Sequence, residues 1–347
     1  MTIRNKGRSI SQYAGLAALF LAAGTVAPQA EATDYPLTVQ NCRQSITFDA
    51  APQSVVTVGQ SATEILYSLD LGEKVIGTSV WFNPVLPQFK ELNDGIERLA
   101  DNDPSFESVV NRKPDLVAAQ YEWHVGPQGI VATREQFHEL GIPTYVMPAD
   151  CDTKDNSTGG DGTRTAAFST DSVYKGIGEL AAVFDVEGKG EALVGTLKAR
   201  EAEAIALAQS LNLPKDISAV FWFSSADIDI DPYVAGRKGA PGYMMEQLGI
   251  RNVIESDEEW PTVGWESIAK ADPTVIVIAE MDRRRFPADD VNKKMEFLTS
   301  DPVAKEMTAV REGRIVVMDA HAMSATLRTI FGLETMAKAL AKFDFGG

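Results

Sequence analysis

The segment from residue 171 to residue 211 constrains the fold most. It is helical in composition throughout, while the chain on either side alternates between strand and helix patterns. Val173 and Ile177 belong to one apolar stripe at helical spacing, and Leu197 and Ala204 belong to a second. A helical segment of this length between two mixed segments predicts two lobes joined by a helix.

Two glycines, Gly188 and Gly190, are expected to mark a break in this segment, because glycine is a poor helix former. The piece from Glu191 to Leu211 would extend about 30 Å, at a rise of about 1.5 Å per residue. That length is comparable to the diameter of a small domain. The piece is therefore long enough to act as a rigid bridge.

Short apolar runs bounded by turn residues predict strands on both sides of the bridge. The predicted strands cover residues 55–58, 75–80, 115–119 and 144–147 before the bridge, and residues 219–224, 253–254, 274–279 and 315–319 after it. A last helix is predicted over residues 325–343. This alternation predicts an α/β fold with two Rossmann-like lobes, mostly parallel sheets and a long joining helix. The predicted division is a signal peptide over 1–32, an N-terminal lobe over 33–170, a bridging helix over 171–212 and a C-terminal lobe over 213–347.

The first 32 residues have the composition of a secretory signal peptide. The start is basic, residues 14–27 are apolar, and the small residues Ala30 and Ala32 offer a cleavage site. The apolar run is shorter than the roughly 20 residues that a membrane-spanning helix needs. No cysteine follows it at the spacing of a lipoprotein. We therefore expect a free periplasmic protein, cleaved near Thr33.

Cys42 and Cys151 are the only cysteines, and an even number in an exported chain favours a disulfide. A metal site is the weaker interpretation, because paired C-x-x-C spacing is absent. The polar segment from Cys151 to Arg164 lacks periodicity and predicts a surface loop. It also lacks the glutamate that would complete a calcium-binding loop.

The formal net charge of −17 argues against nucleic-acid partners and against anionic membrane surfaces. Partner surfaces are expected to be neutral or basic.

The two lobes share a short internal repeat. An aromatic-Glu-Ser triplet, Phe106 to Ser108 in the first lobe and Trp265 to Ser267 in the second, opens a predicted short helix. In each copy a proline follows the glutamate by seven positions and precedes an apolar strand. The repeat predicts that the lobes are copies related by pseudo-twofold symmetry.

Several stretches resemble the substrate-binding proteins of bacterial ABC importers for iron-siderophores, haem and cobalamin, the class whose two lobes are joined by one long helix. They are residues 61–69 running into 74–77, then 107–117, 266–277 and 313–317. The resemblance covers essentially the whole chain after the signal peptide. The polar segment after Cys151 and the disulfide depart from the family pattern.

The resemblance implies a receptor rather than an enzyme. It would bind an iron-siderophore complex between its lobes and deliver it to an ABC importer permease dimer in the inner membrane. It would act as a monomer, with no cofactor and no metal site of its own.

The resemblance also implies two docking residues. In the family, one glutamate on each lobe engages arginines of the two permease subunits, and Glu107 and Glu266 match those positions. The alternative is that each glutamate only stabilises the start of its helix, an effect of about 0.3 to 1 kcal/mol. Its recurrence after an aromatic residue in both lobes favours docking.

Ligands of this fold lie between the lobes, at loops that follow strand ends. Those loops carry aromatic and arginine residues, which suit a bulky, partly aromatic anion. The predicted ligand-binding residues are Trp81, Phe82, Tyr121, Trp123, Trp222, Tyr233, Arg237, Trp260, Arg283, Arg284, His321 and Arg328. In the competing interpretation, residues 283–285 form a solvated turn and the tryptophans fill cores.

Haem and cobalamin are the alternative ligands. For haem, an axial ligand could come from Tyr121, Tyr233, His124 or His321. The chain has only three histidines, and the two in predicted cleft loops are too few for a site that binds a bare metal ion.

A hydrolase is the remote alternative. Residues 59–63 differ by one residue from the G-x-S-x-G nucleophile elbow of α/β hydrolases, which would make Ser61 the nucleophile.

Overall fold

An antiparallel hairpin of β1 (Leu37–Asn41) and β2 (Gln44–Phe48) precedes the first lobe. Its two-residue turn holds Cys42 and Arg43 at φ of 49° and 65°. This is the left-handed region that tight hairpin turns use. The hairpin therefore presents Cys42 at a fixed turn.

The computed structural model describes residues 1–2, 32–157 and 162–345. The predicted signal peptide thus lies almost wholly outside the described residues. Residues Ala32–Gly347 form one compact unit. Within the described part of the chain, we find no helix with the length and apolarity to span a bilayer.

The sheet of the first lobe is wholly parallel. Its strands are β3 (Val55–Val58), β4 (Val75–Ser79), β5 (Arg98–Ala100), β6 (Leu116–Ala119) and β7 (Thr144–Val146), in the order β5-β4-β3-β6-β7. Its helices are α1 (Gln60–Ser68), α2 (Lys90–Asp94), α3 (Phe106–Val110), α4 (Glu122–Val125) and α5 (Arg134–Glu139). Every residue of β3 and β6 is buried, as expected for a parallel sheet covered on both faces.

The prediction of a surface loop from Cys151 to Arg164 is wrong where the segment pairs as two strands, and residues 158–161 of it lie outside the described residues. Strands β8 (Lys154–Asp155) and β9 (Thr163–Arg164) pair antiparallel, and Lys154 and Arg164 are buried. Both cations bind Glu259 of the second lobe, at 3.1 Å from Lys154 Nζ and 3.0 Å from Arg164 Nη2. The prediction failed there because polar side chains can be buried when they form hydrogen bonds or ion pairs with one another. We call the described residues of this segment, 151–157 and 162–164, the strap.

Two helices, α6 (Asp171–Val183) and α7 (Glu187–Ser210), follow the strap. The predicted break at Gly188 and Gly190 is wrong, because both glycines lie inside α7 and the helices separate around Asp185, which has a φ of 59°. A Cβ at Gly190 would meet the Cβ of Ala181 at 2.5 Å. Gly190 therefore permits close packing of α7 on α6 and does not interrupt the helix.

The sheet of the second lobe is parallel except at one edge. Its strands are β10 (Ser218–Ser224), β11 (Tyr233–Val234), β12 (Arg251–Asn252), β13 (Val275–Glu280) and β14 (Ile315–Asp319). The order is β11-β10-β13-β14, with β12 also paired to β10 and β11 antiparallel. The helices are α8 (Ala240–Gln247), α9 (Trp265–Ala271), α10 (Val291–Ser300), α11 (Thr308–Arg311) and α12 (Arg328–Leu340). The α/β fold with two sheet-containing lobes is thus confirmed.

One predicted strand is misplaced. The short strand is at residues 251–252 and not at 253–254, because Arg251 and Asn252 pair with the start of β10. Ile254 lies outside this strand, and its apolar side chain packs in the core of the second lobe.

A disulfide joins Cys42 in the hairpin turn to Cys151 at the base of the strap, as predicted. Replacing both cysteines by serine should lower the free energy of unfolding by about 2 to 5 kcal/mol, because the bond joins residues 109 positions apart. Urea unfolding followed by circular dichroism would measure this. Wild-type protein in reducing agent should match the double variant. Equal midpoints for the variant and the oxidised wild type would refute a stabilising role.

Candidate ligand-binding cleft

The carboxyl ends of the two sheets border a cleft that contains two cavities. The larger, the side cavity, has a volume of about 710 Å³ and lies beyond the ends of β4 and β5. The smaller, the cleft cavity, has a volume of about 520 Å³ and lies beyond the ends of β6 and β10. Both lobes line both cavities, and four residues line the two in common: Phe82, Asn102, Arg283 and Arg285. Open α/β sheets bind ligands at this edge.

Aromatic side chains of both lobes line the cleft cavity. Tyr121 and Trp123, at the start of α4, are stacked with ring centroids 4.5 Å apart. Phe223 and Trp260 of the second lobe have centroids 4.8 Å apart, and Tyr233 lies on the same side. Such rings cover apolar or aromatic parts of a ligand.

Arg283 and Arg285 supply positive charge to the cleft cavity. The Arg283 guanidinium lies 4.0 Å from the centroid of the Phe82 ring and donates to Asn102 Oδ1 at 3.3 Å. Burial lowers the pKa of Arg283 below its usual value. A guanidinium nevertheless stays charged in proteins. The cavity therefore holds one permanent cation, Arg283, in a partly desolvated place, and a second, Arg285, that is exposed.

An acid-histidine pair lies in the same wall. His124 Nε2 is 3.0 Å from Asp103 Oδ1, and this hydrogen bond holds the pKa of Asp103 below its usual range. Both residues line the cleft cavity. The Asp103 carboxylate is therefore already hydrogen-bonded to His124.

The opposite end of the cleft cavity is polar but internally neutralised. Lys154 Nζ lies 2.7 Å from Asp150 Oδ1 and 3.1 Å from Glu259 Oε2. Burial acts to raise the pKa of Glu259, but Arg164 and Lys154 outweigh it and keep that pKa low. Two cations and two carboxylates thus close this end of the cleft from both lobes.

Phe82 separates the two cavities. Its carbonyl accepts hydrogen bonds from the backbone N–H groups of Asp282 and Arg283, at 3.0 and 3.1 Å. Its ring stacks on His321 of the second lobe, with centroids 5.7 Å apart. Phe82 is therefore held by the lobe opposite its own.

A buried lysine supports the second lobe's wall. Lys294 Nζ donates to the carbonyls of Phe223 and Ala279, at 2.5 and 2.8 Å, and so ties the end of β10 to the end of β13. Burial lowers the pKa of Lys294 to about 7, against a raising effect of Asp289. Because Phe223 lines the cleft cavity, Lys294 helps to fix that wall.

The structure separates the predicted ligand-binding residues into three groups. Those that line the cleft cavity are Phe82, Tyr121, Trp123, Tyr233, Trp260 and Arg283. Trp81 and Arg284 line only the side cavity. Trp222, Arg237, His321 and Arg328 line neither cavity.

Trp222 lies in the core of the second lobe, packed against Trp265 with ring centroids 4.7 Å apart. Side chains alternate between faces along a strand, so Phe223 faces the cleft cavity and Trp222 faces the other way. The prediction chose the right strand end and the wrong face.

His321 and Arg237 are misplaced for opposite reasons. His321 is fully buried, burial lowers its pKa to about 3, and its Nε2 lies 3.2 Å from Gln120 Oε1. It is therefore a neutral residue inside the protein. Arg237 is exposed and pairs with Asp257 at 2.7 Å.

Arg328 is buried between two carboxylates, Glu64 of the first lobe and Asp319 of its own lobe. Its charge is thus used to join the lobes and does not line either cavity.

Several cavity residues escaped the sequence analysis. Gln120 directly follows β6, so the rule that strand ends carry the site could have found it. Lys154 and Glu259 gave no signal, because only the folded chain brings the strap to the second lobe.

Ser61 has a structural partner. Its backbone N–H, in the first turn of α1, donates to Gln120 Oε1 at 2.8 Å. The ring hydrogen bonds of the three histidines go to Asp103, Thr144 and Gln120. A nucleophilic serine needs a base within reach. This geometry does not support the hydrolase alternative. Nor do the described residues bring three or more His, Cys, Asp or Glu side chains together as a metal site.

The sequence profile of the periplasmic binding protein family matches residues 55–322, which include both sheets from β3 to β14. The chain belongs to the periplasmic binding protein family. The family match confirms the class of protein that the sequence resembles.

Two curated relatives and one solved structure illustrate the likeness. An uncharacterized ABC transporter substrate-binding lipoprotein of Bacillus subtilis, YvrC, is 26% identical over 309 residues, with 88% of this chain and 86% of the relative covered. A cobalamin-binding protein of Halobacterium salinarum is 23% identical over 337 residues, with 91% of this chain and 79% of the relative covered. A structure described as an ABC-type Fe³⁺-hydroxamate transport system from Saccharomonospora viridis is 24% identical, with a TM-score of 0.70 and coverage of 88% and 99%.

Two tryptophans test the division between cavity and core in this periplasmic binding protein. Trp222→Ala should lower the free energy of unfolding by about 3 to 5 kcal/mol, because Trp222 is fully buried. Trp260→Ala should cost about 1 kcal/mol or less, because Trp260 is only partly buried beside the cavity. Denaturant unfolding would compare them, and equal losses would place Trp260 in the core.

Proposed function

We propose that this periplasmic binding protein captures an iron-siderophore complex between its lobes and delivers it to an ABC-type permease in the inner membrane. The cleft cavity carries the proposal. Aromatic residues of both lobes line it together with Arg283 and Arg285, which form no ion pair with a carboxylate among the described residues. Its volume of about 520 Å³ falls within the range of about 300 to 1,000 Å³ usual for small-molecule sites.

The chemistry of the cavity fits such a cargo. A ferric siderophore presents charged oxygen atoms around the iron and apolar or aromatic surface elsewhere. Guanidinium groups bind charged oxygens through paired hydrogen bonds, and aromatic faces cover the rest. The hydroxamate-transport structure described above supports this choice by analogy.

Haem and cobalamin remain the alternatives. The cobalamin-binding relative favours the second. For haem, Tyr121, Tyr233 and His124 line the cavity, and each could supply an axial ligand. His321 is fully buried, with a pKa lowered to about 3 by burial, and is a poor candidate.

We further propose that the protein is exported by residues 1–32 and works in the periplasm as a monomer. Its role is to carry a ligand rather than to catalyse a reaction.

A ligand panel tests the proposal. Purified protein should bind a ferric hydroxamate or a ferric catecholate, with quenching of tryptophan fluorescence. Trp260→Ala and Arg285→Ala should each weaken binding about ten-fold or more, the scale of a truncated anchor residue. Arg237→Ala is the matched control and should leave affinity unchanged, because Arg237 lies outside both cavities.

The same titrations with haem and cobalamin decide between ligands. Binding of haem or cobalamin without binding of either ferric siderophore would reject the proposed cargo. A visible spectrum of protein purified from its own host gives a second readout. A Soret band indicates haem, and a broad charge-transfer band indicates a ferric siderophore.

The docking role of Glu107 and Glu266 is also a proposal. Glu107 is in the first turn of α3 and Glu266 in the first turn of α9. Both are exposed, and neither forms an ion pair within the described part of the chain. In each lobe the helix leads into a central strand, β6 or β13. Two free carboxylates at equivalent places suit a partner with two equivalent basic surfaces.

Charge reversal tests the docking role. Glu107→Arg combined with Glu266→Arg should reduce uptake by a reconstituted importer about ten-fold or more, because an interfacial charge pair is worth on the order of 2 to 5 kcal/mol. Ligand affinity and melting temperature should not change. Glu139→Arg combined with Glu246→Arg is the control, since both residues are exposed and one lies on each lobe. Wild-type uptake by the first double variant would refute docking.

A further inference from the structure

The side cavity is a basic compartment in an acidic protein. Five cationic side chains and three aspartates line it, whereas the whole chain has a net charge of −17. The cations are Lys90, Arg98, Arg283, Arg284 and Arg285, and the acids are Asp94, Asp101 and Asp282. The local excess of positive charge is the feature to be explained.

Two of the cations are already neutralised. Lys90 pairs with Asp94, and Arg98 Nη1 lies 3.1 Å from Asp101 Oδ1. The Arg98 guanidinium also lies 5.0 Å from the centroid of the Trp81 ring. The remaining lining cations are Arg283, Arg284 and Arg285.

Arginines 283–285 form no ion pair with a carboxylate among the described residues. Arg283 donates to the Asn102 side chain, and its Nε is buried without a partner in the described chain. Arg284 has one long hydrogen bond of 3.5 Å, to the carbonyl of Arg283. Asp282 lines the same cavity, and Asp103 and Asp289 attract Arg283 without forming an ion pair with it. The three adjacent guanidiniums nevertheless repel one another, and an oxyanion between them would relieve this repulsion.

The cavity also has an apolar floor. Trp81 and Phe82 line it, and each supports a guanidinium on its face, Arg98 over Trp81 and Arg283 over Phe82. A guanidinium packed against a ring has lost part of its freedom before a ligand arrives, so less entropy is lost on binding.

We propose that the side cavity is a second binding site, for a small oxyanion of the carboxylate or phosphate class, gripped by Arg283 and Arg284. The site is defined by its arginines and not by which ligand occupies the cleft cavity. The oxyanion has two possible sources. It is an acidic arm of the captured ligand that reaches past Phe82, or it is a free anion that binds alongside.

Isothermal titration with citrate and with inorganic phosphate tests the site in the full mature protein. Wild type should bind at least one of them at millimolar concentration or below. Arg284→Glu should weaken that binding about ten-fold or more, since a charge-assisted contact becomes a repulsive one. Arg311→Glu is the matched control, an exposed arginine of the same lobe outside both cavities, and should bind as wild type does. Trp260→Ala, which alters only the cleft cavity, should also leave the affinity unchanged.

A titration in the presence of saturating ferric hydroxamate then identifies the source. Competition indicates that an arm of the captured ligand fills the side cavity, and simultaneous binding indicates a free oxyanion. The proposal is overturned if neither anion binds wild type, or if Arg284→Glu binds as tightly as Arg311→Glu does. Because the probes contain no iron complex, failure here leaves the proposed siderophore cargo to its own test.

Discussion

The buried ion pair between Arg328 and Glu64 joins the two lobes, and the geometry of the cleft depends on it. Arg328 begins α12 of the second lobe, and Glu64 lies on α1 of the first. Arg328 Nε donates to Glu64 Oε2 at 2.9 Å, and its Nη2 donates to the carbonyl of Pro84 at 2.8 Å. Breaking such a pair would leave a buried charge without a partner, which costs about 3 to 5 kcal/mol. The lobes therefore cannot separate at this point without a large penalty.

The strap forms a second contact between the two lobes. Lys154 and Arg164 belong to the strap and Glu259 to the second lobe, and all three are buried. The cleft thus lies between two charged contacts that cross from lobe to lobe, and the continuous helix α7 stiffens the frame further. Motions that open the cleft widely would break both contacts. We therefore expect ligand entry to need small rearrangements of loops rather than a large hinge motion.

The sequence predicted the order of the main strands but not which way their side chains face. Parallel strands buried on both faces are apolar at nearly every position, so the apolar pattern of β10 does not distinguish the side of Trp222 from the side of Phe223. The same limit applies to His321, which follows a strand end as a binding residue would and yet is buried behind Phe82. Positions after strand ends could be identified, because turn residues mark them. Orientation depends on tertiary packing.

In the strap, the prediction from sequence failed in the opposite way, because charged residues that were predicted to be exposed are buried. A polar segment without periodicity is typical of a surface loop, and Lys154 and Arg164 carry no local sign of burial. Their shared partner lies far away in sequence: Glu259 is 95 positions from Arg164. Only the fold brings these charges together. The disulfide at Cys151 fixes the start of the strap, which reduces the entropy lost when the cluster forms.

Paired and unpaired charges lie at different ends of the cleft. At the strap end, each cation already has a carboxylate partner, so this end offers polar surface without net attraction for an anion. At the opposite side, Arg283 and Arg285 keep their charge unpaired within the described residues and face the shared wall of both cavities. In the proposed complex, an anionic ligand would place its charge at this side and its apolar part against Tyr121 and Trp260. The buried ion pairs thus join the lobes, and in the proposed complex they would also orient the ligand, because they neutralise the positive charge at the strap end of the cleft.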